Sequence, residues 1–161
     1  MDRLWTPWRF EYIRNADQAT SCVFCQMLQE ARDAANLVLF RGKHSFVILN
    51  LFPYTSGHLL CVANRHISYL EDAHPEELHE IIETSRKCEI ALRREYHADG
   101  LNLGFNLGRA AGAGVEHHLH MHVLPRWVGD SNFVSVVGET RVLPEELPDT
   151  YKRLLPYFGE L

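Results

Sequence analysis

The sequence predicts an α+β domain in which an antiparallel sheet packs against helices. Two observations carry this prediction. Short apolar runs of strand length lie on both sides of one long helical pattern, and two of these runs are joined by a glycine-containing hairpin turn. The chain has 161 residues, 46% hydrophobic and 23% charged, as is typical of one soluble globular domain. We therefore expect a single domain over residues 1–161.

The long helix is predicted over residues 75–96. Pro75 suits the first turn of a helix, and Glu76 and Glu77 complement the positive end of the helix dipole. Apolar or small side chains then recur every three to four residues, which is typical of one buried face. They are Leu78, Ile81, Ile82, Ser85, Cys88 and Leu92.

The strand-like segments flank this helix on both sides. Arg41-Gly42-Lys43 separates the first two runs and is a hairpin signal. A strand–strand–helix–strand–strand order with a hairpin favours an antiparallel sheet. The predicted strands are residues 37–40, 45–49, 58–63, 101–107 and 119–125.

The two ends of the chain complete the predicted organisation. Residues 1–20 are rich in aromatic side chains, such as Trp5 and Trp8, without a clear period, so we expect an arm that packs on the body or on a partner subunit. Ser21 is a suitable N-cap for a short helix that follows it. Residues 144–161 are predicted as a helical tail.

Charge and cysteine use restrict the compartment and the partners. A net charge of -5 argues against a nucleic-acid-binding protein, which usually carries a basic face. The four cysteines are scattered through a core-forming chain, unlike the disulfide framework of a secreted domain. No apolar run reaches the roughly 20 residues of a membrane helix, and the first residues lack the apolar core of a signal peptide. We expect a cytoplasmic protein with no membrane partner.

Three histidines are expected on one face of the last predicted strand. Because alternate strand residues point to opposite faces, His118, His120 and His122 share a face, and the apolar residues between them point to the other. Adjacent imidazoles have low β propensity and repel one another when protonated, so stability alone does not favour them. This pattern indicates a functional face, and we call the three residues the triad.

Two chemistries use such a face. Imidazole is a common ligand for zinc and other transition metals, so the triad can be the metal site of a metal-dependent hydrolase. Alternatively, one neutral imidazole attacks the substrate while its neighbours donate to the substrate's charge. The glycine-rich segment from Gly112 to Gly114 favours a phosphate substrate, because its unobstructed backbone N–H groups can form an anion-binding nest.

At these residues the chain resembles the histidine-triad (HIT) family of nucleotide hydrolases and transferases. The family signature, His-x-His-x-His followed by two apolar residues, is matched by residues 118–124. Residues 50–54 (Asn-Leu-Phe-Pro-Tyr) and 56–58 (Ser-Gly-His) are similar to the family's ribose-side loop and Pro-x-x-x-Gly-His element. Residues 102–106 resemble the strand before its phosphate loop.

Further stretches resemble one branch of the family, the bacterial diadenosine tetraphosphate phosphorylases. They are residues 5–9 (Trp-Thr-Pro-Trp-Arg), residues 50–54 and residues 125–133 after the triad. The resemblance implies a sheet of about five antiparallel strands with two main helices, paired as a homodimer through adjacent sheets. It implies cleavage of dinucleoside polyphosphates, with phosphorolysis of diadenosine tetraphosphate to ADP and ATP favoured. Hydrolysis of such substrates or of nucleoside phosphoramidates is the alternative, and a nucleotide-binding module without turnover is a more distant one.

The resemblance also implies roles for individual residues. His120 is the nucleophile that forms a covalent nucleotidyl-histidine, and His122 and His58 contact phosphate oxygens and the leaving group, with no cofactor required. Gly114 stands where the family often carries a Gln or Ser that reaches the phosphates, so only backbone donors are offered there. The implied nucleotide- and phosphate-binding residues are Asn50, Leu51, Asn106, Gly112, Ala113 and Gly114.

A zinc site is the remaining expectation. Cys22 and Cys25 form a C-x-x-C pair, which is either half of a four-ligand zinc site or two buried thiols near a helix start. A redox role is less favoured, because no thioredoxin-like βαβ pattern surrounds the pair. Zinc-bearing members of the family complete such a site with a distant histidine and the first triad histidine. The resemblance therefore implies His66 and His118 as the other ligands of a structural zinc.

Overall fold

A five-stranded antiparallel sheet lies at the centre of the chain, as the sequence predicts. The computed structural model describes residues 22–131, 133–138 and 143–159. The predicted arm at 1–20 and the predicted cap Ser21 lie outside the described residues. The strands are β1 (Val38–Arg41), β2 (Ser45–Leu49), β3 (Leu59–Ala63), β4 (Gly100–Phe105) and β5 (His120–Arg126), in the spatial order β1-β2-β3-β5-β4.

Five α-helices and two short 3₁₀ turns surround the sheet in the described part of the chain. The long helix has the predicted bounds. The 3₁₀ turns are Leu70–Asp72 and Arg109–Ala111, and the helices are α1 (Val23–Glu30), α2 (Asp33–Asn36), α3 (Pro75–Tyr96), α4 (Phe133–Val137) and α5 (Leu147–Gly159). Among the described residues, none of these helices has the length and apolar character needed to cross a lipid bilayer.

The element bounds differ from the predicted ones where backbone groups bond outside the ladder. The last strand begins at His120 and not at residue 119, because the Leu119 N–H donates to the carbonyl of Ile67 in a loop (2.6 Å). Helix α5 begins at Leu147, three residues after the start of the predicted tail, and the carboxylate of Glu145 before it accepts hydrogen bonds from the Tyr96 and Thr150 hydroxyl groups. These tertiary contacts are not visible in a local pattern.

Pairing of β5 with β3 positions the triad. His122 lies opposite Leu60 and His120 lies opposite Val62, so the imidazoles project from the face that these two apolar residues share. All residues of β2 and β3 are buried, because the central strands are covered on both sides.

The two faces of the sheet have separate cores. Helices α3 and α5 cover one face, where the intervening β5 residues Met121 and Val123 are buried. Helix α1 covers the other face through Phe24 and Met27, which pack with apolar side chains of β1, β2 and β3. The triad histidines therefore lie on the side of the sheet that α1 covers.

Candidate active site and metal cluster

Four buried histidines form the centre of the site. His118, His120 and His122 are 1%, 5% and 8% exposed, and His58, at the start of β3, is 1% exposed. The rings of His120 and His122 have centroids 5.1 Å apart, and those of His58 and His122 are also 5.1 Å apart. The pairing of β3 with β5 thus brings His58 to the triad, as the resemblance implied.

His120 has one ring nitrogen fixed as a donor. Its Nδ1–H donates to the backbone carbonyl of His118 at 2.7 Å, and a carbonyl oxygen can only accept. Burial lowers the pKa of His120 below its ordinary value, so the ring is neutral near neutral pH. The Nε2 atom therefore carries a lone pair, which is the form that attacks phosphorus.

A chain of hydrogen bonds places the proton of His122 on Nε2, the nitrogen that is unprotonated in His120. The Tyr54 backbone N–H donates to His58 Nδ1 (3.1 Å), so His58 carries its proton on Nε2. That Nε2–H donates to Nδ1 of His122 (2.9 Å), and the neutral His122 ring must then hold its own proton on Nε2. Burial, together with nearby His120, lowers the pKa of His122 to about 4. Its Nε2 then carries the proton and lies 3.4 Å from Nδ2 of Asn106; because both atoms are donors, the Asn106 amide must turn its oxygen towards the ring to accept this proton.

Tyr54 is a site residue that the sequence analysis did not select. Its ring stacks on the ring of His122 with centroids 5.8 Å apart and an interplanar angle of 16°, and it contacts the His58 ring at 4.7 Å. Tyr54 thus holds His58 through its backbone and covers His122 with its side chain. The sequence signal for Tyr54 is its place at the end of residues 50–54, the segment that resembles the family's ribose-side loop.

The loop between the sheet and His58 holds the predicted ribose-side residues. Asn50 Oδ1 accepts the Phe52 backbone N–H at 2.9 Å, and Asn50 Nδ2 lies 3.2 Å from Nδ1 of His58. Leu51 is 46% exposed beside them. The structure therefore places Asn50 at the histidines and leaves Leu51 open to a ligand.

The glycine-rich loop is exposed, but one of its expected phosphate donors already has an acceptor. Gly108 and Gly112 have φ values of 80° and 86°, which only glycine adopts easily. The Gly112 N–H donates to the carbonyl of Arg109 (3.0 Å) and closes a 3₁₀ turn. Ala113 and Gly114 follow this turn directly in the chain.

Open space lies beside the triad on the edge strand. Gly104 of β4 is the register partner of His122, so a side chain at this position points to the same face as the imidazole. A Cβ atom built on Gly104 meets no atom within 4 Å. The position next to His122 on this face is therefore open.

A second group of side chains lies at the start of α1. We call Cys22, Cys25, His66 and His118 the Cys/His cluster, because one ligand atom of each lies within 4.8 Å of all the others. Nδ1 of His118 is 3.2 Å from Sγ of Cys22 and 3.3 Å from Nδ1 of His66. Sγ of Cys25 is 3.4 Å from the His66 nitrogen and 3.6 Å from the His118 nitrogen.

These distances fit a tetrahedral metal ion. Zinc bonds to nitrogen and sulfur of about 2.0 and 2.3 Å imply tetrahedron edges of about 3.3 Å between nitrogens and about 3.6 Å between nitrogen and sulfur. Burial and the neighbouring Cys22 thiol raise the pKa of Cys25, so a metal ion that binds this sulfur must displace its proton. His118 donates Nε2–H to the carbonyl of Ala63 (2.7 Å), which leaves its Nδ1 as the ligand atom.

The geometry divides the triad between two tasks. Within the described residues, His118 is the one triad member that joins a group of metal-ligating side chains. His120 and His122 do not converge with it, because Nδ1 of His120 bonds to a backbone carbonyl and Nδ1 of His122 accepts from His58. The interpretation of the triad as a three-histidine metal centre is therefore not supported.

Sheet order, triad and the paired histidine at β3 together define a histidine-triad protein. The sequence profile of the HIT domain family matches residues 31–128, and the chain belongs to this family. It is 40% identical to the AP-4-A phosphorylase of Mycobacterium tuberculosis, in an alignment that covers 96% of this chain and 83% of the relative. The predicted resemblance to the diadenosine tetraphosphate phosphorylase branch is confirmed by this relative.

Two further relatives bear on the site. A crystal structure of a Zn-bound histidine triad family protein from Mycobacterium smegmatis superposes with a TM-score of 0.71 at 30% identity and covers 87% of this chain and 94% of that chain. A Bis(5'-nucleosyl)-tetraphosphatase [asymmetrical] of Schizosaccharomyces pombe is 33% identical over 58% of this chain and 50% of the relative. The family thus includes a zinc-bound member and one named as a hydrolase.

Proposed function

We propose that this chain is a nucleotidyltransferase that cleaves dinucleoside polyphosphates through a covalent nucleotidyl-His120 intermediate. The favoured reaction is phosphorolysis of diadenosine tetraphosphate to ADP and ATP. The observation that carries the proposal is that two adjacent rings are held in different tautomers. His120 has its lone pair on Nε2, while His122 has its proton on Nε2. The similarity to AP-4-A phosphorylase supports this substrate.

In the first step, Nε2 of His120 bonds to the α-phosphorus of one adenylate. The bond from that phosphorus to its bridging oxygen breaks, and the leaving nucleotide keeps the electron pair. The Nε2–H of His122 donates a hydrogen bond to the oxygen on which charge develops. His122 keeps its proton on Nε2 because its other nitrogen, Nδ1, accepts a hydrogen bond from His58. A nucleotide is already a good leaving group, so a donor of this strength is sufficient.

In the second step, an oxygen of inorganic phosphate attacks the same phosphorus from the side that the leaving nucleotide vacated. The P–N bond breaks and its electron pair returns to Nε2 of His120, so the enzyme regains its starting form. Diadenosine tetraphosphate then gives ATP in the first step and ADP in the second. Water in place of phosphate gives AMP.

The surrounding residues bind the substrate in this proposal. Asn50 and Leu51 contact the nucleoside, and Asn106 contacts the phosphate next to His122. Backbone N–H groups of the glycine-rich loop hold the phosphate chain, with the Gly112 N–H shared with its turn bond. The loop residues assigned to this role are Gly112, Ala113 and Gly114.

We further propose that the Cys/His cluster holds a structural zinc ion. Four ligands of the types zinc prefers, at spacings that fit a tetrahedron, support this assignment. The ion supplies no chemistry to the reaction; it ties the first described helix to the strand of the triad. With all four positions taken by protein ligands, no site is left for a substrate oxygen.

We also propose a cytoplasmic homodimer of single-domain chains. Strand β4 ends the sheet order, and in the described residues it pairs only with β5, so its outer edge can pair with a second sheet. Leu103 on this strand is 44% exposed, as suits a residue covered by a partner. Sedimentation of the purified chain tests the oligomeric state.

The test of function is incubation with diadenosine tetraphosphate, with and without inorganic phosphate, and identification of the products by mass. ADP with ATP, formed only when phosphate is present, supports the phosphorylase. AMP with ATP in both conditions overturns it in favour of hydrolysis, the alternative that the Schizosaccharomyces pombe relative supports. His120→Ala is the control: retention of more than about 1% of the activity contradicts covalent catalysis.

A further inference from the structure

Helix α1 carries an aromatic residue onto the proposed nucleophile. Phe24 is 3% exposed and lies on the histidine face of the sheet. Its ring centroid is 5.3 Å from the ring of His120 and also 5.3 Å from the ring of His118. The Phe24 ring meets the His118 ring edge-on at 78° and the His120 ring in a tilted contact at 58°, and both contacts depend on ring orientation.

The His120 ring needs such a contact. Its hydrogen bond to the His118 carbonyl restrains one atom, Nδ1, but leaves the ring free to tilt about that atom. The remaining orientation is restricted by the two rings that pack against it, that of His122 at an interplanar angle of 61° and that of Phe24 at 58°. The direction in which the Nε2 lone pair of His120 points therefore depends on Phe24.

Phe24 is itself held by the Cys/His cluster. It stands between Cys22 and Cys25, whose sulfur atoms lie 3.2 and 3.6 Å from Nδ1 of His118. His118 is two residues before His120 on the same chain segment. The cluster thus joins the helix that carries Phe24 to the strand that carries the nucleophile, next to both rings.

We propose that Phe24 is a positioning residue for His120, and that the Cys/His cluster controls catalysis through it. The ring keeps Nε2 directed at the α-phosphorus, and the cluster keeps the ring in place. The role in turnover rests on the proposed function, whereas the packing of Phe24 on His120 does not. Metal loading then changes the reaction rate without contact between the cluster and the substrate.

The first test compares Phe24→Leu with Phe46→Leu in the full chain. Phe46 is fully buried and contacts Phe24 at 6.4 Å, so the control removes the same volume from the same core. We expect Phe24→Leu to lower kcat about tenfold or more with KM changed less than about twofold, because misaligned reacting atoms slow the chemical step. We expect Phe46→Leu, at a similar unfolding temperature, to keep kcat within about twofold. Equal losses of kcat in both variants overturn the proposal.

The second test needs no turnover. Diethyl pyrocarbonate modifies imidazole nitrogens, and peptide mass measures the rate at His120 alone. We expect faster modification of His120 in Phe24→Leu and in metal-stripped protein, but not in Phe46→Leu, because only the first two release the ring. If the modification rate of His120 is unchanged in both Phe24→Leu and the metal-stripped protein, the proposal is overturned, even if the enzyme proves to be a hydrolase. Absence of turnover in the wild type, with the expected modification rates, overturns the proposed function alone.

A third variant covers the case in which Phe24→Leu does not fold. Phe24→Met replaces the ring with an unbranched, flexible side chain that adapts to irregular core space, so it removes the aromatic contact while the core can still pack. We expect a lower kcat than in the wild type, together with a faster modification of His120. Values equal to those of the wild type in both measurements overturn the proposal.

Discussion

The Nε2 atom of His58 lies 2.9 Å from the Nδ1 atom of His122, and this contact determines on which nitrogen His122 holds its proton. The two residues are 64 positions apart and meet because β3 pairs with β5. A bond between neutral rings has a direction, and the Tyr54 N–H sets it by donating to the far nitrogen of His58. The leaving-group side of the site is thus oriented by a backbone amide in a loop.

His58→Phe tests this orientation. The substitution keeps a buried ring but removes both nitrogens, so His122 loses the donor that fixes its tautomer. We expect kcat to fall about 100-fold, a typical cost of losing a positioned proton donor. The control is His117→Phe, whose side chain beside the triad is 76% exposed. A steady-state assay in which the two variants lose activity equally would contradict the assigned role.

Gly104→Val tests whether the substrate occupies the space beside His122. A Cβ atom meets nothing within 4 Å at Gly104 or at Gly100, which lies on the same face of β4 opposite Arg126. Valine is favourable in a strand, so both Gly104→Val and Gly100→Val should fold normally. We expect only Gly104→Val to lower kcat/KM, by about tenfold or more, because the new side chain fills the ligand space. Equal kcat/KM values for the two variants would place the substrate elsewhere.

Stability should depend on the neutral form of His122. Burial lowers its pKa from 6.5 to about 4, so between these values the unfolded chain binds a proton that the folded chain does not. The free energy of unfolding is therefore fully retained above pH 6.5 and falls as the pH drops towards 4, by roughly 1–3 kcal/mol for this residue. Urea unfolding at several pH values measures the slope. We expect a shallower slope in His122→Gln; an identical slope would show that His122 titrates normally.

Metal content tests the Cys/His cluster. Protein purified without chelator should carry about one zinc per chain, and Cys25→Ser should carry less than about a tenth of an equivalent, because three ligands bind zinc far more weakly. Cys88→Ala is the matched control, since Cys88 is buried in the opposite core. Elemental analysis gives both values. A wild-type content below a tenth of an equivalent would remove zinc from the assignment.

Periodicity alone predicts a large part of the fold. The three-to-four spacing gives α3 its bounds, and the two-residue period puts the triad on one face with Met121 on the other. The family resemblance supplies His58 and the Cys/His cluster. It does not supply Phe24, and it includes Tyr54 in the 50–54 segment without a role, because the contacts of these rings with His120 and His122 exist only after α1 and the loop before β3 have docked on the sheet.

For the glycine-rich loop, the sequence predicts the backbone conformation but not the hydrogen-bond partners. Glycine content correctly predicts backbone freedom, and Gly112 has a positive φ. It does not show where an N–H group is directed, and that of Gly112 donates to Arg109. Composition indicates which conformations are permitted, while hydrogen-bond partners depend on the whole turn.

The Cys/His cluster connects residues 93 and 96 positions apart in the chain. Helix α1 has eight residues, too few to be stable in isolation, and its retention depends on this connection and on two buried side chains. We expect local opening of the first described segment to be a separate equilibrium from global unfolding, and, with the proposed zinc ion in the cluster, the free zinc concentration would shift it by mass action. In a cell short of zinc, the same chain would then keep its sheet but spend more time with the proposed nucleophile uncovered, so that substrate turnover would report metal supply.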